Sequence, residues 1–115
     1  MANRFVDEAL RMEEHPGVLF RDGRTGRRAV LVGGPDVREV IRAVKSARTA
    51  EPELDAAAIV ALVEANTAVP ARLIDTAVRY WSSYPDEIDA WIADVDQLEN
   101  EALAAWERQH DLLAR

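Results

Sequence analysis

After Pro85 the chain meets no further proline and no glycine through Arg115. Over that stretch Ile88, Trp91, Val95, Leu98, Ala102, Ala105 and Leu112 follow a seven-residue apolar repeat, interrupted only by Gln109. Asp86, Glu87 and Asp89 put negative charge in the first turn, where the helix dipole favours it. The pattern predicts one helix of about 30 residues, reaching roughly 45 Å, which exceeds the width of a compact domain of this size. Its far end must project. An apolar seam there, including Trp106, Leu112 and Leu113, needs cover from outside its own domain, most simply from a second chain.

The preceding residues supply the body from which that helix projects. Phe5, Val6, Ala9 and Leu10 repeat at helical spacing, and His15-Pro16-Gly17 ends that segment. Val18–Arg21 and Arg27–Val32 are short β-prone runs flanking Asp22–Gly26, whose glycines suit a hairpin loop. A lone hairpin is marginal in water, so it must pack on helices or pair with another chain. Asp36, with Glu39 three residues on, resembles a capping box opening a helix that buries Val37, Val40, Ile41 and Val44 and stops before Glu51-Pro52. Asp55 reads as the N-cap of the next helix, with Leu54 placed to staple onto Ile59 and Asn66 able to end it in a left-handed conformation. Pro70 suits the first position of another helix burying Leu73, Ile74, Ala77, Val78 and Trp81. Two helices joined by so short a turn cross steeply or fold back, and a helix-turn-helix is one such outcome.

The expected fold is therefore mainly α in a single domain, 1–115. It comprises an N-terminal arm and β-hairpin (1–35), a helix-turn-helix-like bundle (36–84) and a long C-terminal helix (85–115).

Charge is divided along the chain. Residues 1–50 hold 10 Lys+Arg against 7 Asp+Glu, and residues 51–115 hold 4 against 14, so the first half is basic and the second acidic. The cluster Arg21, Arg24, Arg27, Arg28, Arg38, Arg42, Lys45 and Arg48 can meet phosphates, against the solvated-face alternative that any charged surface offers. On the helix after Pro70, Arg72, Thr76 and Arg79 lie on the polar side with Asp75 and can reach base edges. Opposite halves suggest two surfaces, one for anions and one that repels them.

Nothing in the sequence builds a catalytic centre. Cysteine is absent, which excludes disulfides, thiolate zinc sites and cysteine nucleophiles, and suits the reducing cytoplasm. Neither histidine has a serine partner in a recognisable arrangement. Glu107-Arg108-Gln109-His110 fits the Glu-x-x-His spacing of di-iron bundles but lacks the second motif such a site requires. No metal or cofactor is expected. No secretory leader or membrane span is expected either, since acids occupy the N-terminus and no apolar run approaches 20 residues.

The residues His15-Pro16-Gly17-Val18, Arg27 through Val37, Ala77-Val78-Arg79-Tyr80-Trp81 and Tyr84-Pro85-Asp86-Glu87-Ile88 together resemble a domain-of-unknown-function family of small helix-turn-helix-like proteins. Members are commonly antitoxins of the VapB type. The resemblance spans roughly residues 15–92, and Tyr84–Ile88 is its most specific element. It implies a hairpin leading into a homeodomain-like bundle, neutralisation of a PIN-type ribonuclease toxin, and repression of the shared promoter by a dimer bound to operator DNA. By position, Asn66–Arg79 becomes the turn and second helix of the helix-turn-helix. The DNA-contacting set becomes Arg24, Arg27, Arg28, Arg38, Arg42, Lys45, Arg72, Thr76 and Arg79. Asp94–Arg115 becomes the toxin-binding segment, with Trp106, Arg108, Leu112, Leu113 and Arg115 as its contacts. The other reading of the same residues is an interaction module without DNA binding, whose helix-turn-helix is architecture only.

Overall fold

In the computed structural model, residues 4–23 and 26–114 are described. They form α1 (Arg4–Glu14), β1 (Val18–Gly23), β2 (Gly26–Leu31), α2 (Val37–Ala50), α3 (Ala56–Thr67), α4 (Ala71–Ser83) and α5 (Pro85–Leu113). This is the mainly α architecture with one N-terminal hairpin that the periodicity predicts. Arg24 and Arg115, expected to contact DNA and toxin respectively, fall outside the described residues.

The two strands pair antiparallel, with Val18 opposite Leu31 and Phe20 opposite Ala29. Alternation turns those four side chains toward the helices, where Val18, Ala29 and Leu31 are buried and Phe20 packs against them. The sheet that is too small to stand alone is thereby backed by α4, whose Tyr80 lies edge-on to Phe20 at 6.3 Å. Val37, Val40 and Ile41 of α2, Ile59 and Val63 of α3, and Leu73, Ile74 and Ala77 of α4 complete one continuous core. Each such side chain contributes about 1.5–3 kcal/mol by leaving water.

Local chemistry sets the helix boundaries, and not always through the residues the sequence suggests. Asp55 caps α3 as expected, its carboxylate accepting from the Ala58 N–H at 2.8 Å. Asp36 occupies the N-cap of α2 but makes no side-chain cap. Its carboxylate instead lies between Arg28 (3.1 Å) and Arg38 (3.3 Å), so two guanidinium groups outcompete the backbone N–H groups. α2 stops at Ala50, ahead of Pro52, and the Arg48 guanidinium donates to the carbonyls of Pro52 and Leu54 across that connection.

α3 runs one residue past Asn66, and Ala68 rather than Asn66 takes the left-handed conformation, at φ 62°. The reason lies next to it. The Thr67 hydroxyl donates to the Val63 carbonyl and accepts from the Val69 N–H, holding the last turn helical and placing the reversal at Ala68. Pro70 then serves as N-cap of α4, and the Glu64 carboxylate accepts from the Ala71 N–H at 2.9 Å. A side chain of α3 thus caps α4, locking a three-residue turn through which the two helix axes bend by 115°. That angle falls within the range of helix-turn-helix units.

α1 is a helix, as its repeat predicts, but its apolar residues point outward: Phe5, Val6 and Leu10 are all more than half exposed. The polar side faces the body. Glu8 is buried and bonded to Arg27 of β2, while Arg11 reaches Tyr80 and Glu87 at the junction of α4 and α5.

α5 spans 29 residues, about 43 Å of helix. Only Ile88 is fully buried along it; Trp91, Ile92 and Val95 are half-buried and Leu98 is exposed. The radius of gyration is 17.0 Å, against about 13 Å for a compact chain of this length, which measures how far the helix extends beyond the body. No single helix among the described residues is long and apolar enough to cross a membrane.

Candidate functional site

Three surfaces bear on function: the basic residues of the first half, the solvent face of α4, and the distal part of α5.

The basic residues do not form one open patch. Arg27 grips Glu8 of α1 with both carboxylate oxygens, at 2.6 and 3.0 Å, and also lies 3.5 Å from Asp22. Arg28 and Arg38 share Asp36. Arg42 lies between Asp96 at 2.6 Å and Glu99 at 3.3 Å on α5. Lys45 contacts Asp89 at 2.9 Å and sits over the Trp81 ring. These hydrogen bonds and nearby carboxylates hold the Arg27 and Arg42 guanidinium groups above their ordinary pKa. The Asp89 carboxyl is lowered in turn, first by the Trp81 indole N–H at 2.9 Å and then by Lys45. Phosphate binding draws on uncompensated positive charge, and carboxylates of the same chain already compensate these five residues, whereas Arg21 and Arg48 are exposed and make no ion pair among the described residues.

On α4 the arrangement differs. Arg72 and Arg79 are exposed and make no ion pair among the described residues, with Asp75 between them. Thr76 is half-buried, its hydroxyl donating to the Arg72 carbonyl and its methyl lying near Gly17. α4 therefore presents two guanidinium groups outside any ion pair among the described residues, whereas Arg27, Arg28, Arg38, Arg42 and Lys45 of the hairpin and α2 are paired.

The distal part of α5 is the third surface. No hydrogen bond, ion pair or ring contact joins a residue beyond Glu99 to another element, among the described residues. The apolar character nevertheless continues. Leu103 and Trp106 are just over half exposed, and Leu112 and Leu113 are 77% and 81% exposed. Trp106 stacks on His110 of the next turn, with ring centroids 4.9 Å apart and planes tilted by 15°. His110 of the Glu-x-x-His pattern is thus engaged by an aromatic neighbour. Among the described residues no three His, Asp or Glu side chains are placed to hold a metal ion.

One constellation gave no functional signal in sequence. Arg11 donates to the Tyr80 hydroxyl at 2.9 Å and to Glu87 at 2.8 Å, lies 3.0 Å from Asp7, and stacks over the Tyr84 ring at 3.9 Å. Tyr80 in turn donates to Glu87 at 3.1 Å, and burial pushes its hydroxyl above the ordinary tyrosine pKa. A cleft of about 250 Å³ opens beside these groups, lined by Arg11, Glu8, Arg27, Glu87, Phe20 and Trp91. Its charges pair with one another and join α1 to β2, α4 and α5. The segment Tyr84–Ile88, on which the family resemblance rests most, supplies Tyr84, Glu87 and the fully buried Ile88 to this junction. The signal available in sequence was the seven-residue separation of Tyr80 and Glu87 across Pro85.

No family model matches this chain, and no curated protein or solved structure matches it either.

Proposed function

We propose that this protein is a non-catalytic, protein-binding antitoxin of the cytoplasm, whose projecting α5 docks onto a PIN-type ribonuclease toxin and neutralises it. The observation that carries the reading is the apolar surface of α5 beyond Glu99, with Trp106, Leu112 and Leu113 exposed where their own domain no longer covers them. Exposed apolar residues concentrated on one projecting element mark a docking surface, and a half-exposed tryptophan is the usual kind of anchor. The resemblance to VapB-type antitoxins supplies the partner's identity. Arg108 and Arg115 then have a target in the acidic, metal-binding pocket that such nucleases carry. The test is removal of residues 101–115, followed by measurement of folding, of binding to the nuclease encoded beside this chain, and of protection of cells. A folded truncation that no longer binds or protects is expected. One that binds and protects as well as the full chain overturns the reading.

Operator binding is a second reading, favoured by one observation: the 115° bend between α3 and α4, with Arg72 and Arg79 exposed on α4. The ion pairs of Arg27, Arg28, Arg38, Arg42 and Lys45 weigh against the broad basic face, so α4 carries this reading. Arg72→Glu with Arg79→Glu should abolish any shift of promoter DNA at low salt. Unchanged retardation, or none with the native chain, overturns it.

A further inference from the structure

The distal α5 surface has a second consequence, which rests on its reading as a docking face. Residues on its two flanks are not equivalent. Glu101 and Arg108 stand seven residues apart, hence on the same flank of the seam formed by Leu98, Ala102, Ala105, Gln109 and Leu112. Both are exposed. Glu101 accepts one hydrogen bond from Gln97 on the preceding turn, and Arg108 makes no ion pair among the described residues. From Asp94 to Glu107 every charged residue is acidic, and Arg108 is the first cation after that run. A flank whose charge changes sign along its length complements the same flank of a second copy only when that copy is reversed.

We infer that the distal halves of α5 from two copies of this chain pair antiparallel, with each Glu101 against the partner copy's Arg108. Centring the pair on Ala105 places Leu98 of one copy beside Leu112 of the other at both ends. The small Ala102 and Ala105 let the helices approach closely in the middle. In an antiparallel pair, residues of one flank face the same flank of the partner, so Glu101 meets Arg108 twice by symmetry. On the other flank the two Trp106 side chains come together. A parallel pair in register lacks these contacts, because each flank then meets the opposite flank of the partner, setting Glu101 toward Trp106 and Arg108 toward Leu113.

The seam also sets the strength. With alanines and Gln109 at its centre, each copy contributes chiefly Leu98, Trp106, Leu112 and Leu113, and the pair buries on the order of 1,000 Å² in total. That is the size of a weak, exchangeable interface. A nuclease offering a deeper groove displaces the second copy, and self-association keeps the seam covered until it does.

Sedimentation equilibrium of the full chain over a wide concentration range tests this. The mass should rise from 12.8 kDa toward twice that value. Glu101→Arg alone, or Arg108→Glu alone, should weaken association roughly tenfold, since each converts two attractive contacts to repulsive ones. The double variant Glu101→Arg/Arg108→Glu should restore it. An equimolar mixture of the two single variants should associate as well as the native chain, because the antiparallel pair of one with the other again sets an arginine against a glutamate at both contacts. A strict monomer at all concentrations, single variants that associate like the native chain, or a mixture that stays dissociated each overturns the inference. Binding to the nuclease is scored separately. A monomer that still binds it overturns the pairing alone, and a dimer that never binds it overturns the antitoxin reading alone.

Discussion

Replacing Tyr80 by phenylalanine isolates what holds the N-terminal helix to the body. Tyr80 is fully buried, its ring packed among His15 at 5.2 Å, Tyr84 at 4.9 Å and Phe20 at 6.3 Å, and its hydroxyl set between Arg11 and Glu87. Tyr80→Phe keeps all of the ring packing. It removes two hydrogen bonds to charged groups, each worth about 1.5–3 kcal/mol when its partner is left stranded. Here the partners are not stranded, because Arg11 and Glu87 remain 2.8 Å from each other and Glu87 is 46% exposed. The net loss should therefore be about 1–2 kcal/mol. For a chain of 115 residues that lowers the midpoint of thermal unfolding by roughly 6 °C. Urea denaturation should show the same loss as a lower midpoint with an unchanged slope. Tyr80→Ala, which also empties the ring's volume, should cost about 3–5 kcal/mol. Equal losses in the two variants would mean the hydroxyl bridge dominates the ring packing. A Tyr80→Phe variant as stable as the native chain would mean that the hydroxyl adds nothing to the hold on α1 already given by Arg11 with Glu87 and by Glu8 with Arg27. Either result refutes this division of the stability between ring and hydroxyl.

Three further predictions concern the turn and the seams. Ala68→Gly should stabilise the fold by about 0.5–1 kcal/mol in urea titrations, because the left-handed conformation at φ 62° strains any residue with a Cβ; a loss of stability would show the turn to be held otherwise. Glu64→Ala removes the cap that α3 provides for α4 and should cost about 1 kcal/mol, with hydrogen exchange speeding first at Ala71 and Leu73; unchanged protection there would refute the cap. The Asp89 latch should depend on pH. Its folded pKa lies below the ordinary 3.8, so its contribution is complete above that value and is lost as pH falls through the lowered one. Trp81 fluorescence should report that loss in the native chain below about pH 4, and Asp89→Asn should abolish the transition; its persistence in the variant assigns it to another carboxyl.

How much of this was legible in sequence depends on the range over which each feature is decided. The breaker-free repeat after Pro85 determined α5 and its projection because helical periodicity is a property of neighbours along the chain. Pro52 and Pro70 fixed where α2 stops and α4 starts for the same reason. The left-handed residue moved from Asn66 to Ala68 because Thr67 bonds back to Val63, a local contest that residue preference alone does not resolve. The docking of α1 was not legible. Its repeat identifies an apolar side, yet the side facing the body is fixed by Arg27, Tyr80 and Glu87, which lie 19 to 76 residues away from Glu8 and Arg11. The same limit applies to the basic cluster. Sequence shows where the cations are, and only the fold shows that Asp36, Asp89, Asp96 and Glu99 meet them.

That pairing changes what the division of charge means. A basic first half and an acidic second half look like two surfaces for two partners, but across the contact of α2 with α5 they bind each other: Lys45 meets Asp89, and Arg42 meets Asp96 and Glu99. The contact is mostly exposed, so water and salt screen each pair and it adds little to stability. Its effect is on direction more than stability, because Lys45 holds α5 at Asp89 while Arg42 holds it at Asp96 and Glu99, roughly two to three turns further along. The pairs thereby set the line along which α5 leaves the body. Beyond Glu99 no hydrogen bond or ion pair joins α5 to α2 among the described residues, while the apolar residues continue, and the aim given to α5 by its own chain becomes the geometry with which Leu103, Trp106 and Leu112 are offered to another.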